Sequence, residues 1–258
     1  MSPRTEETRE PAPASVLRPA SRGRRLLWWG GGLVLLWAAA AYLVLPAMWT
    51  RYATTHPSLE DISGITYTGT GIPGDPLNVA LIGSKREVMK VLVAAHWYPA
   101  DPLSLKSSLE IAEASVLKRP YDDAPVSNLF LFGRKEDLAF EMPVGDDPRQ
   151  RHHVRFWKVA KPTPDGRETW VGSATYDRRV GLSGTTLEIT HHIAADVDTE
   201  RDHLMGTLEN TGELVEVYSV PDFHKLREGR NGGGDPWRTD GSLTVGVIQA
   251  ELAAGGAR

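Results

Sequence analysis

From Leu26 to Trp49 the chain runs 24 residues without a charged side chain, and this stretch constrains everything else it can fold into. A helix rises about 1.5 Å per residue, so the run reaches roughly 36 Å against a hydrocarbon core of about 30 Å. Core helices of soluble domains are seldom so long and so evenly apolar, and the stretch is predicted to be a single transmembrane helix over 26–49. Trp28 and Trp29 stand at one end and Trp49 and Tyr52 at the other, the headgroup depths that amphipathic rings favour. Arg22, Arg24 and Arg25 precede it, which predicts a cytoplasmic N-terminus and an outer part beyond the span. The competing reading is a cleavable signal sequence with Ala38–Ala41 before the cut. The apolar run continues through Tyr42 to Trp49, too long for a signal's apolar region, and Arg24-Arg25 lacks the rest of a twin-arginine pattern.

Charge divides at the span. Residues 1–25 hold six arginines and three glutamates, net +3, leaving 23 basic and 30 acidic side chains after Trp49, net −7. A mildly acidic outer part has no clustered basic surface for a duplex, which excludes nucleic acid as a partner. With no cysteine, thiol catalysis, zinc–thiolate centres and disulfides are excluded as well. Segment 1–25, with little to bury, is predicted to be a disordered cytoplasmic tail. Residues 50–61 read as a polar linker, 62–250 as one extracytoplasmic domain and 251–258 as a second disordered tail. About 200 residues suffice for one full hydrophobic core.

Periodicity then sets the fold class. Leu77–Ile82 is a short apolar run between Gly74-Asp75-Pro76 and Gly83, the pattern of a buried strand. Ser84 and Glu87 have capping-box spacing, and Val88, Val91, Leu92 and Ala95 follow at helical intervals until Tyr98-Pro99. A second helix is expected over Ser104–Lys118 from the stripe Leu105, Leu109, Ala112 and Val116. Leu129–Phe132, Leu138–Met142, His152–Val159, Thr169–Asp177 and Val180–Leu182 then read as strands of an antiparallel meander, with Pro164-Asp165-Gly166 as a hairpin turn. A third helix is expected, capped by Asp198 and ending before Gly212, followed by closing strands at Leu214–Val220 and Leu243–Ile248. The sum is an α+β domain, its sheet largely antiparallel and covered by helices, preceded by one transmembrane helix.

Three stretches could carry chemistry. In a strand, His152, Val154 and Phe156 share one face, and His153, Arg155 and Trp157 the other. Val154 and Phe156 look like core, which leaves a basic and aromatic row suited to an anion or a sugar; packing under the helices is the plainer alternative. The second stretch, Thr190-His191-His192-Ile193, leads into Asp196, Asp198, Glu200 and Asp202. His153, His191, His192 and Asp196 are the residues that could hold a divalent metal in a chain without cysteine, although their spacing fits no metal signature, and the acids also suit a helix N-terminus. The third is Arg227-Glu228-Gly229-Arg230-Asn231-Gly232-Gly233-Gly234-Asp235. Arg230, Asn231, Gly232 and Gly233 could approach a phosphate through backbone amides, or form a flexible connection. Ser183, in Gly181-Leu182-Ser183-Gly184, reads as a turn serine and not as a nucleophile elbow.

The ordered set Gly74-Asp75-Pro76-Leu77-Asn78, Ala124-Pro125-Val126-Ser127, Leu131-Phe132-Gly133-Arg134, Asp137–Glu141, Arg151–Trp157, Ala174-Thr175-Tyr176-Asp177, Thr190–Ile193 and Gly229–Asp235 resembles the LssY C-terminal domain family over about 64–249. Similar domains are often joined to phosphatidic-acid-phosphatase-like or other multi-pass membrane regions, whereas this chain has one span. The resemblance implies a cell-envelope setting with no assigned reaction. Two readings follow. One is a module binding a phosphate-bearing envelope lipid or glycan, or a membrane protein, through Arg155, Trp157 and the glycine loop. The other is a hydrolase of an envelope phosphoester, with His153, His191, His192 and Asp177 as candidate catalytic groups and a possible divalent metal. Without an evident nucleophile, the binding module is the leading expectation.

Overall fold

A computed structural model describes residues 22–56, 58–59, 61–100, 128–145, 150–184 and 189–250. The helix expected over Ser104–Lys118, the tail up to residue 21 and residues 251–258 lie outside them. The chain divides into two compact units, Met1–Thr50 and Arg51–Arg258.

Helix α1 (Arg22–Ala39) passes through a π-helical stretch, Ala40–Val44, into α2 (Leu45–Thr55). Over Leu27–Tyr52 this gives a 26-residue helix with an 18-residue window of mean hydropathy 1.9, one helix long and apolar enough to cross a membrane. The π stretch has a local cause: Pro46 has no N–H to offer Tyr42, and the Leu45 N–H reaches back to Ala40 O instead of one residue nearer. The helix continues to Thr55, past the predicted boundary at Trp49 and into the segment read as linker. Once nucleated, a helix adds residues at little cost, and polar Thr50 and Arg51 do not stop it.

In the second unit, β1 (Ile65–Thr68), β2 (Pro73–Pro76) and β3 (Val79–Ile82) lead into α3 (Lys85–Ala94) and β4 (Tyr98–Pro99). Then come β5 (Leu129–Leu131), β6 (Arg134–Lys135), β7 (Leu138–Pro143), β8 (Arg151–Lys158), β9 (Thr169–Leu182) and β10 (Ile189–Ile193). Helix α4 (Val197–Glu209), β11 (Leu214–Val220), β12 (Glu228–Arg230), β13 (Pro236–Arg238) and β14 (Leu243–Ile248) complete the described elements. The α3 capping box is made in both halves, Ser84 Oγ accepting from Glu87 N and Glu87 Oε2 from Ser84 N, as its spacing predicts.

The main sheet runs β11-β14-β3-β9-β8-β7-β4, with β10 paired to the far end of β9. Every pairing in it is antiparallel except β14 with β3, where two strands buried at all positions but Thr244 lie side by side. One face carries α3 and α4: Val88, Leu92, Leu204 and Leu208 pack there on Phe140, Val154 and Phe156. On the other face a second sheet, β2-β1-β5-β6, sets Leu129 and Leu131 against Trp157, Val171 and Val245. The domain is therefore α+β with a largely antiparallel sheet, helices on one side and a small sheet on the other.

Three local expectations need correction. The two runs at Thr169–Asp177 and Val180–Leu182 are one 14-residue strand, β9, whose charged stretch Asp177-Arg178-Arg179 hides its continuity. The cap of α4 is Asp196, which accepts from Thr199 N; Asp198 sits in the first turn and binds Thr239 and Asp240 instead. The glycine-rich connection holds a hairpin of β12 and β13. The turn at Pro164-Asp165-Gly166 forms as expected, closed by Gly166 N–H to Thr163 O at 2.8 Å.

Candidate functional site

Strand β8 builds the floor of the site by parity. Its core-facing residues Val154 and Phe156 point to the helices, and His152 goes with them, its Nδ1 2.8 Å from Glu200 Oε2 on α4. Arg151, His153 and Arg155 therefore face the small sheet. Across the β8–β9 ladder Arg151 stands beside Asp177, His153 beside Thr175 and Arg155 beside Ser173. Above this row opens a cleft of about 410 Å³ whose floor includes His153, Arg155, Thr175 and Asp177. Thr68, Gly69 and Thr70 at the end of β1 and Asn128–Phe130 at β5 form one wall, and Ser183, Thr190, His191 and Ile193 another. Gly74, Asp75 and Asn231–Gly233 close the rim.

Arg151 is the hub of the polar network. Its Nε donates to Asp177 Oδ2 at 3.2 Å, Nη1 to Glu141 Oε2 at 2.7 Å and Nη2 to His191 Nε2 at 3.0 Å. A guanidinium only donates, so His191 Nε2 accepts and Nδ1 carries the proton of the neutral ring. That Nδ1 is buried and makes no hydrogen bond. His153 Nδ1 lies 3.9 Å from Asp177 Oδ2, and Arg155 Nη1 lies 3.8 Å from Asp75 Oδ2. Burial dominates the titration of all four groups. It lifts the Asp177 carboxyl from 3.8 to about 7, against the opposing pull of Arg151 and Arg155. It also raises Asp75, again against Arg155. It lowers His191 from 6.5 to about 4 and holds His153 well below 6.5, with the Arg151 and Arg155 cations adding to both.

The glycine loop is pinned. Asp235 Oδ1 pairs with His192 Nδ1 at 2.8 Å and Oδ2 accepts from Ile193 N, fixing the loop to β10. Asn231 Nδ2 donates to Asp75 Oδ1 at 2.9 Å, fixing it to β2. Gly233 N and Asp235 N both donate to Asn231 Oδ1 and Gly234 N to Asn231 O, so these amides serve the loop itself and not an anion. At Gly232 a Cβ would overlap Thr68 Cγ2, so this position needs glycine for close approach to β1.

The sequence candidates therefore separate. His153, Asp177, Arg155, His191, Asn231, Gly232 and Gly233 come together at the cleft. Trp157, completely buried with its Nε1 on Arg134 O, is core and not a ligand contact. Arg230 is exposed and donates to Gly234 O outside the cleft lining. His192 serves Asp235, and Asp196 caps α4 and pairs with Arg238. The candidate metal set is split: His153 and His191 line the cleft and His192 and Asp196 do not, Arg151 occupies the lone pair of His191 Nε2, and no three His, Asp or Glu side chains among the described residues gather as a metal site. Arg151, Asp75 and Ser183 were not expected in the site. Parity marks Arg151, two residues from His153 on the same strand face, whereas Asp75 and Ser183 carry no local signal.

The LssY C-terminus family model matches residues 57–243. No curated protein matches the chain, and no solved structure does. The match spans most of the chain and all of the cleft, and the chain belongs to the LssY C-terminus family.

Proposed function

We infer that this is a single-pass, membrane-anchored domain of the cell envelope whose extracytoplasmic cleft binds a phosphate-bearing ligand, lipid headgroup or glycan. One observation carries the reading: Arg155, 6% exposed, lines a 410 Å³ cleft together with His153 and His191, imidazoles held neutral by burial. A guanidinium at the base of a concave site is suited to a phosphoryl oxygen, and neutral imidazoles add donors without a second fixed charge. The walls add Thr68, Thr70, Asn128 and Thr190, which suit the hydroxyls of a headgroup or sugar.

Dimethyl phosphate is a suitable probe, because it carries the phosphate without committing to lipid or glycan. Titrated into the full chain in detergent, it should bind, and Arg155→Gln should weaken it at least tenfold, about the strength of one charge-assisted hydrogen bond. Equal affinity for the variant and the unaltered chain would overturn the assignment.

A further inference from the structure

We propose that Asp177 and His153 form a proton-transfer couple at the cleft floor, and that the cleft hydrolyses a phosphodiester held by Arg155. The proposal rests on the reading of the cleft as a phosphate site and gives it a reaction. Both groups line the cleft, are 2% and 4% exposed, and stand 3.9 Å apart from Asp177 Oδ2 to His153 Nδ1. Arg151 Nε donates to the same Oδ2 at 3.2 Å, which leaves Oδ1 to carry the proton of the acid, so Asp177 is oriented as well as buried.

Charge selects the ester class. Arg155 is the one lysine or arginine in the cleft lining among the described residues, and Asp75 lies 3.8 Å from it. One cation shared with a carboxyl can offset at most one negative charge, which favours a phosphodiester, with one, over a monoester, whose second ionisation near pH 6 brings up to two.

The groups are poised for opposite proton moves. Burial keeps Asp177 near half-protonated at neutral pH, able to give a proton, and keeps His153 neutral, able to take one. Water loses a proton to His153 as its oxygen forms a bond to phosphorus. The bond from phosphorus to one alcohol oxygen breaks, and that oxygen leaves with the Asp177 proton. The imidazolium then returns its proton to the Asp177 carboxylate, downhill because His153 is the weaker base. One diester and one water become one monoester and one alcohol, and the doubly charged product fits a single cation poorly and leaves.

The test uses the full chain in detergent with EDTA, glycerophosphocholine as substrate, because its alkoxide leaving group needs a proton, and dimethyl phosphate as the binding probe. The expected result is turnover of the diester, with kcat/KM falling tenfold per pH unit above about 7 as Asp177 ionises. Asp177→Asn should lower it by at least about 100-fold while dimethyl phosphate still binds. A diester keeps one charge over this range, so the limb reports the protein. The profile needs no variant, which keeps the test decisive if Asp177→Asn does not fold. Binding without turnover, a flat profile above pH 7, or turnover that needs an added divalent ion would overturn the couple and leave the binding site standing. Failure of both binding and turnover would overturn the phosphate reading itself, and the couple with it.

Discussion

Arg151 makes no contact with the space above the cleft floor, yet it sets the state of the residues that do. By donating to His191 Nε2 it fixes the tautomer of that ring, and by holding Asp177 it opposes the rise that burial causes. The result is a balanced pair of linked titrations. Asp177 binds a proton more tightly folded, at about 7, than unfolded, at 3.8, so its contribution is present below 3.8 and is lost as pH rises through 7. His191 binds a proton less tightly folded, at about 4, than unfolded, at 6.5, so its contribution is present above 6.5 and is lost as pH falls through 4. Between pH 4 and 6.5 the two slopes oppose each other, each near 1.4 kcal/mol per pH unit. Asp177→Asn removes one of them. From pH 5 to pH 6 the variant should therefore gain about 1.4 kcal/mol of stability relative to the unaltered chain, read from thermal unfolding of the full chain at both pH values. Parallel pH dependences would show that Asp177 ionises as an ordinary surface carboxylate.

At the scale of elements, the β12–β13 hairpin is held by one aspartate more than by its own two-strand ladder, since a ladder this short is marginal alone. Asp235→Ala would leave the Ile193 N–H and His192 Nδ1 without their acceptor and cost about 1–3 kcal/mol. Hydrogen exchange should then speed up at Ile193 and Gly233 while the β8–β9 ladder stays protected; unchanged exchange at Ile193 would show that the loop is fixed by other contacts. The same hairpin marks a limit of sequence reading. Three consecutive glycines look like slack, because the side chains that pin them come from Asp75 on β2 and His192 on β10, far along the chain. Where the signal was local it was legible: the Ser84–Glu87 box fixed the start of α3, and strand parity put His153 and Arg155 opposite Val154 and Phe156. Parity also separates His191 from His192, yet which of them meets His153 depends on a bulge where β10 joins β9 between His192 and Ile193. No residue pattern announces that bulge.

For the whole molecule, the parallel pairing of β14 with β3 joins segments more than 160 positions apart, which no periodicity could foretell. The orientation of a membrane-crossing helix, by contrast, has a sequence signal. Arg4, Arg9, Arg18, Arg22, Arg24 and Arg25 lie before the span, while Arg51 is the one lysine or arginine in the next 30 residues. If the basic end is retained in the cytoplasm, where the membrane potential and anionic lipids favour it, the chain after the span is expected outside. A domain without cysteine also has no thiols to mispair in an oxidising compartment. Alkaline phosphatase fused after Arg258 should then be active in cells, because that reporter folds only outside the cytoplasm. Replacing Arg22, Arg24 and Arg25 with glutamate should lower the active fraction by removing half of the arginines that set the orientation. A fusion that is expressed yet inactive in the unaltered chain, with a C-terminal cytoplasmic reporter active instead, would reverse the topology and place the cleft, with His153, Arg155 and Asp177, on the cytoplasmic side.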